Sequence, residues 1–134
     1  MSVTDLIGSP LARKLKHEYY DQLESDVEDM TWAMLGTAFH MLMHKNAPEG
    51  STPEEKVELL IDGYTLVGIP DIYHNGILDD YKTTSAFSFI LGEKKDWERQ
   101  LNVYRYMLYK KNSIDITQLR IIAILRDWMA SKSK

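Results

Sequence analysis

The chain has 134 residues, 16 Lys and Arg against 20 Asp and Glu for a formal net charge of −4, and no cysteine. That length suits one domain able to bury a core of its own. The lack of cysteine excludes a disulfide framework, a thiolate zinc site and a cysteine-held iron–sulfur cluster. No apolar run approaches membrane-spanning length, and residues 1–6 have no basic segment leading into a hydrophobic stretch. No membrane partner and no secretory signal are therefore expected, and a cytoplasmic protein is the default. Charge is uneven: residues 1–90 carry six Lys or Arg against fifteen Asp or Glu, a balance of −9, and residues 91–134 carry ten against five, a balance of +5.

Residues 4–24 have helical spacing behind a cap at Ser2 or Thr4, with Pro10 breaking or restarting the helix. From Val27 or Asp29 to about Lys45, the apolar set Met30, Ala33, Met34, Ala38, Met41 and Leu42 predicts a mostly buried helix, and 46–53 reads as a loop. The period then changes. Residues 57–61, 64–73 and 77–82 are predicted as three strands of an antiparallel meander, joined at Asp62-Gly63 and Asn75-Gly76, both type I′ turn signals. Gly68 and Pro70 weaken the second strand and predict a kink beside Asp71. Residues 83–92 read as a polar and aromatic connection able to order on a ligand. Trp97, Leu101, Tyr104 and Leu108 predict a long amphipathic helix from Lys94 to about Lys111. Residues 117–126 carry Ile and Leu on both faces, as expected of a central strand, and a helical crossover before them returns that strand parallel to a neighbour. The expected class is α/β, with a mixed central sheet flanked by helices.

The Asn75-Gly76 turn fixes a register with chemical consequences. His74 faces Ile77, Tyr73 faces Leu78, Ile72 faces Asp79 and Asp71 faces Asp80, the last as a non-hydrogen-bonded pair whose side chains lie close. Two adjacent carboxylates destabilise a hairpin unless solvent or a cation lies between them. The period of two puts Lys82 on the face of Asp80 and turns Asp79 to the other side. Hard carboxylate oxygens suit Mg²⁺ or Mn²⁺, and a lysine beside them orients or deprotonates a water attacking a phosphate ester. A solvated hairpin with surface charges is the plain alternative. Glu58, placed across from Val67, is a candidate further acid on the face of Asp71, with a solvated strand glutamate as the plainer reading.

His40 and His44, four apart on the first long helix, raise the two-histidine zinc motif, but no glutamate follows His40, and Met41 and Met43 suit packing. Gln100 and Tyr104 share a face of the second long helix. Lys94, Lys95 and Arg99, with Arg105, Lys110, Lys111, Arg120 and Arg126, would track a phosphate backbone if they converge.

Gly36-Thr37-Ala38-Phe39-His40, Gly68-Ile69-Pro70-Asp71, Asp80-Tyr81-Lys82-Thr83-Thr84 and Gln100-Leu101-Asn102-Val103-Tyr104 resemble, in this order, the motifs of RecB-like nucleases within the PD-(D/E)XK superfamily. The resemblance covers about residues 30–126 and implies a single nuclease domain over residues 1–134, with a restriction-endonuclease-like core in a minimal form without iron–sulfur cysteines. It implies His40, Asp71 and Asp80 as ligands of Mg²⁺ or Mn²⁺, with the backbone carbonyl of Tyr81 completing the shell. Asp71, Asp80 and Lys82 would then be catalytic, and Gln100 and Tyr104 would contact the DNA backbone. The implied activity is hydrolysis of DNA phosphodiester bonds, favouring an exonuclease of replication, recombination or repair, and the small size fits a phage-encoded form. A flap or junction endonuclease uses the same site. A DNA-end or single-strand binding module without turnover is the rival from another class. Some relatives close into rings, which leaves a homo-oligomer open.

Overall fold

A computed structural model describes residues 1–92 and 94–127. Ser2 and Asp5 close a reciprocal capping box on helix α1 (Val3–Ile7). Ser9 caps α2 (Pro10–Glu18), with Pro10 at its start, where a missing N–H does no harm. The helical region expected over 4–24 is thus two helices followed by a 3-10 turn at Tyr20–Gln22. Asp26 caps α3 (Val27–Lys45), whose first turn is acidic and last turn basic, in accord with the helix dipole.

Strands β1 (Thr52–Pro53), β4 (Ile72–His74), β5 (Ile77–Thr84) and β6 (Gln118–Leu125) form a mixed sheet in the order β1-β4-β5-β6. β1, β4 and β5 pair antiparallel, while β6 runs parallel to β5, as the helical crossover requires. β2 (Val57–Ile61) and β3 (Tyr64–Gly68) make a separate antiparallel pair. The architecture is α/β, with a mixed central sheet flanked by helices.

The expected continuous meander is broken at one place. Residues 69–71 leave the ladder, so the strand expected over 64–73 is two strands in two sheets. Pro70 has no N–H to donate there, which makes this the point where pairing ends. Three further expectations are corrected. β6 is the edge of its sheet and only half buried. Its apolar side chains are shielded on fewer sides than a central strand's. Residues 83–92 are more ordered than a connection: β5 continues to Thr84, Ser85 caps α4 (Ala86–Ile90), and the Ala86 N–H donates to Asp127. The third correction concerns α3. Its Trp32, Gly36, Phe39, His40 and Met43 are half buried, whereas Met30, Ala33, Met34, Ala38, Met41 and Leu42, the set expected inside, are exposed. Apolar residues surround this helix, so their spacing alone does not reveal which side packs.

Helix α5 (Lys95–Asn112) supplies the core. Its Leu101, Tyr104, Met107 and Leu108 pack with Val3, Val57, Leu66, Leu78 and Ile116. Among the described residues no helix is long and apolar enough to cross a membrane.

Candidate active site

Asn75 and Gly76 both have positive φ, 47° and 74°, so the turn is of the primed kind that matches strand twist. Ile72 pairs with Asp79, Tyr73 with Leu78 and His74 with Ile77. The pleat then places Asp71 beside Asp80 and turns Asp79 away. Asp80 is 2% exposed and Asp71 8%. The Tyr81 N–H donates to Asp71 Oδ2 at 2.7 Å, which fixes the carboxylate against the backbone of β5.

α3 delivers His40 to the same place. Its Nε2 lies 2.8 Å from the Tyr81 carbonyl oxygen and its Nδ1 3.5 Å from Asp71 Oδ1. One turn earlier, a Cβ on Gly36 would stand 3.2 Å from Thr83 Oγ1, so the glycine is what lets the helix come this near to β5.

A polar chain leads from Asp80 to α5. Lys82 Nζ lies 2.8 Å from Asp80 Oδ2 and donates to Gln100 Oε1 at 3.0 Å, and Gln100 Nε2 donates to the Tyr104 hydroxyl at 2.9 Å. Gln100 and Tyr104 thus hold the ammonium from behind. Lys82 is the partner of Asp80 Oδ2, and no other donor reaches that buried oxygen. Burial pushes the Asp80 carboxyl above its ordinary range and the Asp71 charge adds to this, while Lys82 and His40 act in the other direction. Burial likewise raises the Tyr104 phenol.

Gly68 sets the seat of Tyr104. A Cβ at this position would fall 2.8 Å from Tyr104 Cε1 and 3.0 Å from Val3 Cγ2, closer than carbon atoms tolerate. Gly68→Ala should therefore destabilise the chain by about 1–3 kcal/mol through overpacking. Urea unfolding checks this, and an unchanged midpoint would show that the ring has room to retreat.

Two expectations fare differently. Among the described residues no three His, Asp or Glu side chains converge as a ready metal shell, so His40, Asp71 and Asp80 are neighbours without forming a closed cluster. Their oxygens and nitrogens are taken up otherwise: Asp71 by the Tyr81 N–H and His40, and Asp80 by the charge of Lys82. The cations expected to track a phosphate backbone are dispersed. Lys95 and Arg99 line a groove with Leu6 and Ile7, on a different side of α5 from Gln100 at about 100° per residue. Lys94 donates to Ser88 and lies over Trp97, Arg126 stacks on Trp32, and Arg120 binds Asp79.

The fold is similar to that of SSO0001. The crystal structure of that protein superposes with a TM-score of 0.71 at 20% sequence identity, over 97% of this chain. The chain spans 63% of the length of SSO0001. No family model matches the chain, and no curated protein matches it at a significant level. At this identity the likeness to SSO0001 establishes the fold alone.

Two groups beside the site have no clear mark in the sequence. His44 Nδ1 lies 3.3 Å from Glu54 Oε1, and Glu54, at φ 46°, donates its N–H to the Asp71 carbonyl at 2.9 Å. The pair braces the segment that carries Asp71, and its glutamate follows a stretch read only as a loop. On the far face of the hairpin, Asp79 accepts two hydrogen bonds from Arg120, at 2.6 and 2.7 Å, with His74 Nε2 at 3.3 Å. The parity that excluded Asp79 from the acidic pair was a signal that it needed a cation elsewhere.

Proposed function

We propose that the chain is a metal-dependent deoxyribonuclease that hydrolyses DNA phosphodiester bonds. The observation that supports it most is the gathering of Asp71, Asp80 and Lys82 on one face of the hairpin, with His40 brought from α3 onto the Tyr81 carbonyl and Asp71. A bland charged hairpin has no physical need for it. Burying two carboxylates side by side, at 2% and 8% exposure, against one lysine is unfavourable, and proteins keep such groups where chemistry uses them.

The donor set fits Mg²⁺ or Mn²⁺. Two carboxylates, a carbonyl and an imidazole provide mostly hard oxygen ligands. When bound, such an ion supplies a Lewis acid for the phosphate and a more acidic water. Lys82 offsets charge developing on the phosphate and orients the attacking water. Gln100 is a positioning residue, since it acts through the lysine it accepts from.

A second reading has its own support. The lack of a ready three-ligand cluster among the described residues is what a DNA-end or single-strand binding module without turnover would show. End-labelled linear DNA and circular DNA, single and double stranded, incubated with Mg²⁺ or Mn²⁺, separate the readings. Loss of linear substrate with circles untouched is the expected result and identifies an exonuclease of the replication, recombination or repair type. Opened circles would make it an endonuclease. A mobility shift with all substrates intact would replace the enzyme by the binding module.

A further inference from the structure

The outer face of α3 is a second copy's binding surface: we propose that the chain self-associates into a two-fold dimer through antiparallel pairing of this helix, with Met34 on the axis. None of the 19 residues of α3 is buried. Val27, Met30, Met34 and Met41 are 75%, 55%, 72% and 68% exposed, and they recur at spacings of three, four and seven. That spacing is the seam of two paired helices, with Thr37 and Ala38 leaving room between the methionines. His40 and Gly36 lie on the opposite side, against β5, so pairing leaves the candidate active site uncovered.

Charge decides both the occupant and its direction. Glu28 and Asp29 stand in the first turn of α3 behind Glu24 and Asp26, and His44 and Lys45 in its last. A parallel pair would set acids on acids and Lys45 on Lys45. An antiparallel pair sets each basic end beside the partner's acidic end and opposes the two helix dipoles favourably. Symmetry about Met34 then places Val27 against Met41, Met30 against Ala38 and Lys45 beside the partner's acidic entry to the helix. The surface is self-complementary, as an isologous contact must be. It is also too acidic at one end to suit a nucleic-acid phosphate. One helix pair lies at the small end of specific interfaces, so the dimer should be reversible and concentration dependent.

The chain has no cysteine, so single cysteines report on the geometry directly. Under a mild oxidant Met34→Cys should cross-link to itself, and Val27→Cys mixed with Met41→Cys should cross-link well above Val27→Cys alone. Tyr109→Cys, exposed on α5, gives the rate of random encounter. In sedimentation, Met34→Lys should weaken association at least roughly tenfold, the loss expected for a central contact. Lys45→Glu should weaken it and Lys45→Glu with Glu24→Lys should restore it. Circular dichroism confirms that each variant is folded. A chain that stays monomeric at every concentration, or Val27→Cys cross-linking to itself as fast as to Met41→Cys, would overturn the proposal. This outcome is independent of whether DNA is cleaved.

Discussion

Lys82→Ala and Asp80→Asn should each lower Mn²⁺-dependent DNA hydrolysis by about 10²–10³-fold, the usual loss when one preorganised group at a developing charge is removed. Their effects on stability should have opposite signs. Asp80 is buried, and that burial raises its folded pKa above the unfolded value of 3.8. Between those two values the folded state binds more protons than the unfolded state, so stability falls as pH rises through the folded pKa. Asp80→Asn removes that penalty. It should raise stability at pH 7 by on the order of 1 kcal/mol, and the gain should vanish as the pH falls below about 3.8. Lys82→Ala instead leaves the Asp80 carboxylate, 2% exposed, without its counter-charge. It should destabilise at pH 7 by about 1–3 kcal/mol. Calorimetry at neutral and acid pH, beside the cleavage assay, checks both. Two variants inactive for opposite structural reasons point to chemistry rather than unfolding, whereas full cleavage by both would remove these residues from the site.

Neighbouring aspartates in one strand therefore have different fates. Asp79 and Asp80 are adjacent in sequence, yet one faces Arg120 and the other faces Asp71 and Lys82. The division was legible from the turn alone, because Asn75-Gly76 leaves one register and the pleat assigns each side chain a face. The same local reasoning located the Asp62-Gly63 turn, a cap at Ser2 or Thr4, the restart at Pro10 and the buried stripe of α5, but not the Ser9 cap. These features depend on residues within a few positions of one another.

What the sequence did not disclose depends on partners far along the chain. The side of α3 that packs is set by Gly36 against Thr83 and His40 against Tyr81, contacts across more than forty positions. A helix with large apolar side chains on both its packed and its open face carries no local sign of it. The edge position of β6 likewise follows from sheet order, since an Ile-rich strand reads alike at the edge or the centre. Glu54 reached the site through a loop, and Lys95 and Arg99 were drawn to α1, where a count of charges gave no direction. The polar chain from Lys82 to Gln100 and Tyr104 joins two elements that the sequence could place only separately.

Asp79→Ala should be the most destabilising single change on the hairpin, at about 2–3 kcal/mol. The carboxylate is 3% exposed and accepts both guanidinium hydrogen bonds of Arg120, which ties the hairpin to β6 through a residue pair that also shares the ladder. Burial pulls the Asp79 carboxyl up, but Arg120 and His74 outweigh it and hold it below the ordinary value. A folded pKa below the unfolded value of 3.8 means the stabilisation is complete above 3.8 and is lost as pH falls through the folded pKa. The gap in unfolding free energy between the natural chain and Asp79→Ala should thus be wide at neutral pH and close in acid. Arg120→Ala should be comparably harmful, because it leaves that buried carboxylate with His74 alone beside it. The double variant should lose much less than the sum of the two, since the second truncation removes a group already deprived of its partner. Urea unfolding of the four proteins at neutral and acid pH measures the coupling. Additive losses with no dependence on pH would mean that packing around Leu119 and Ile121, and not this pair, holds β6 to the hairpin.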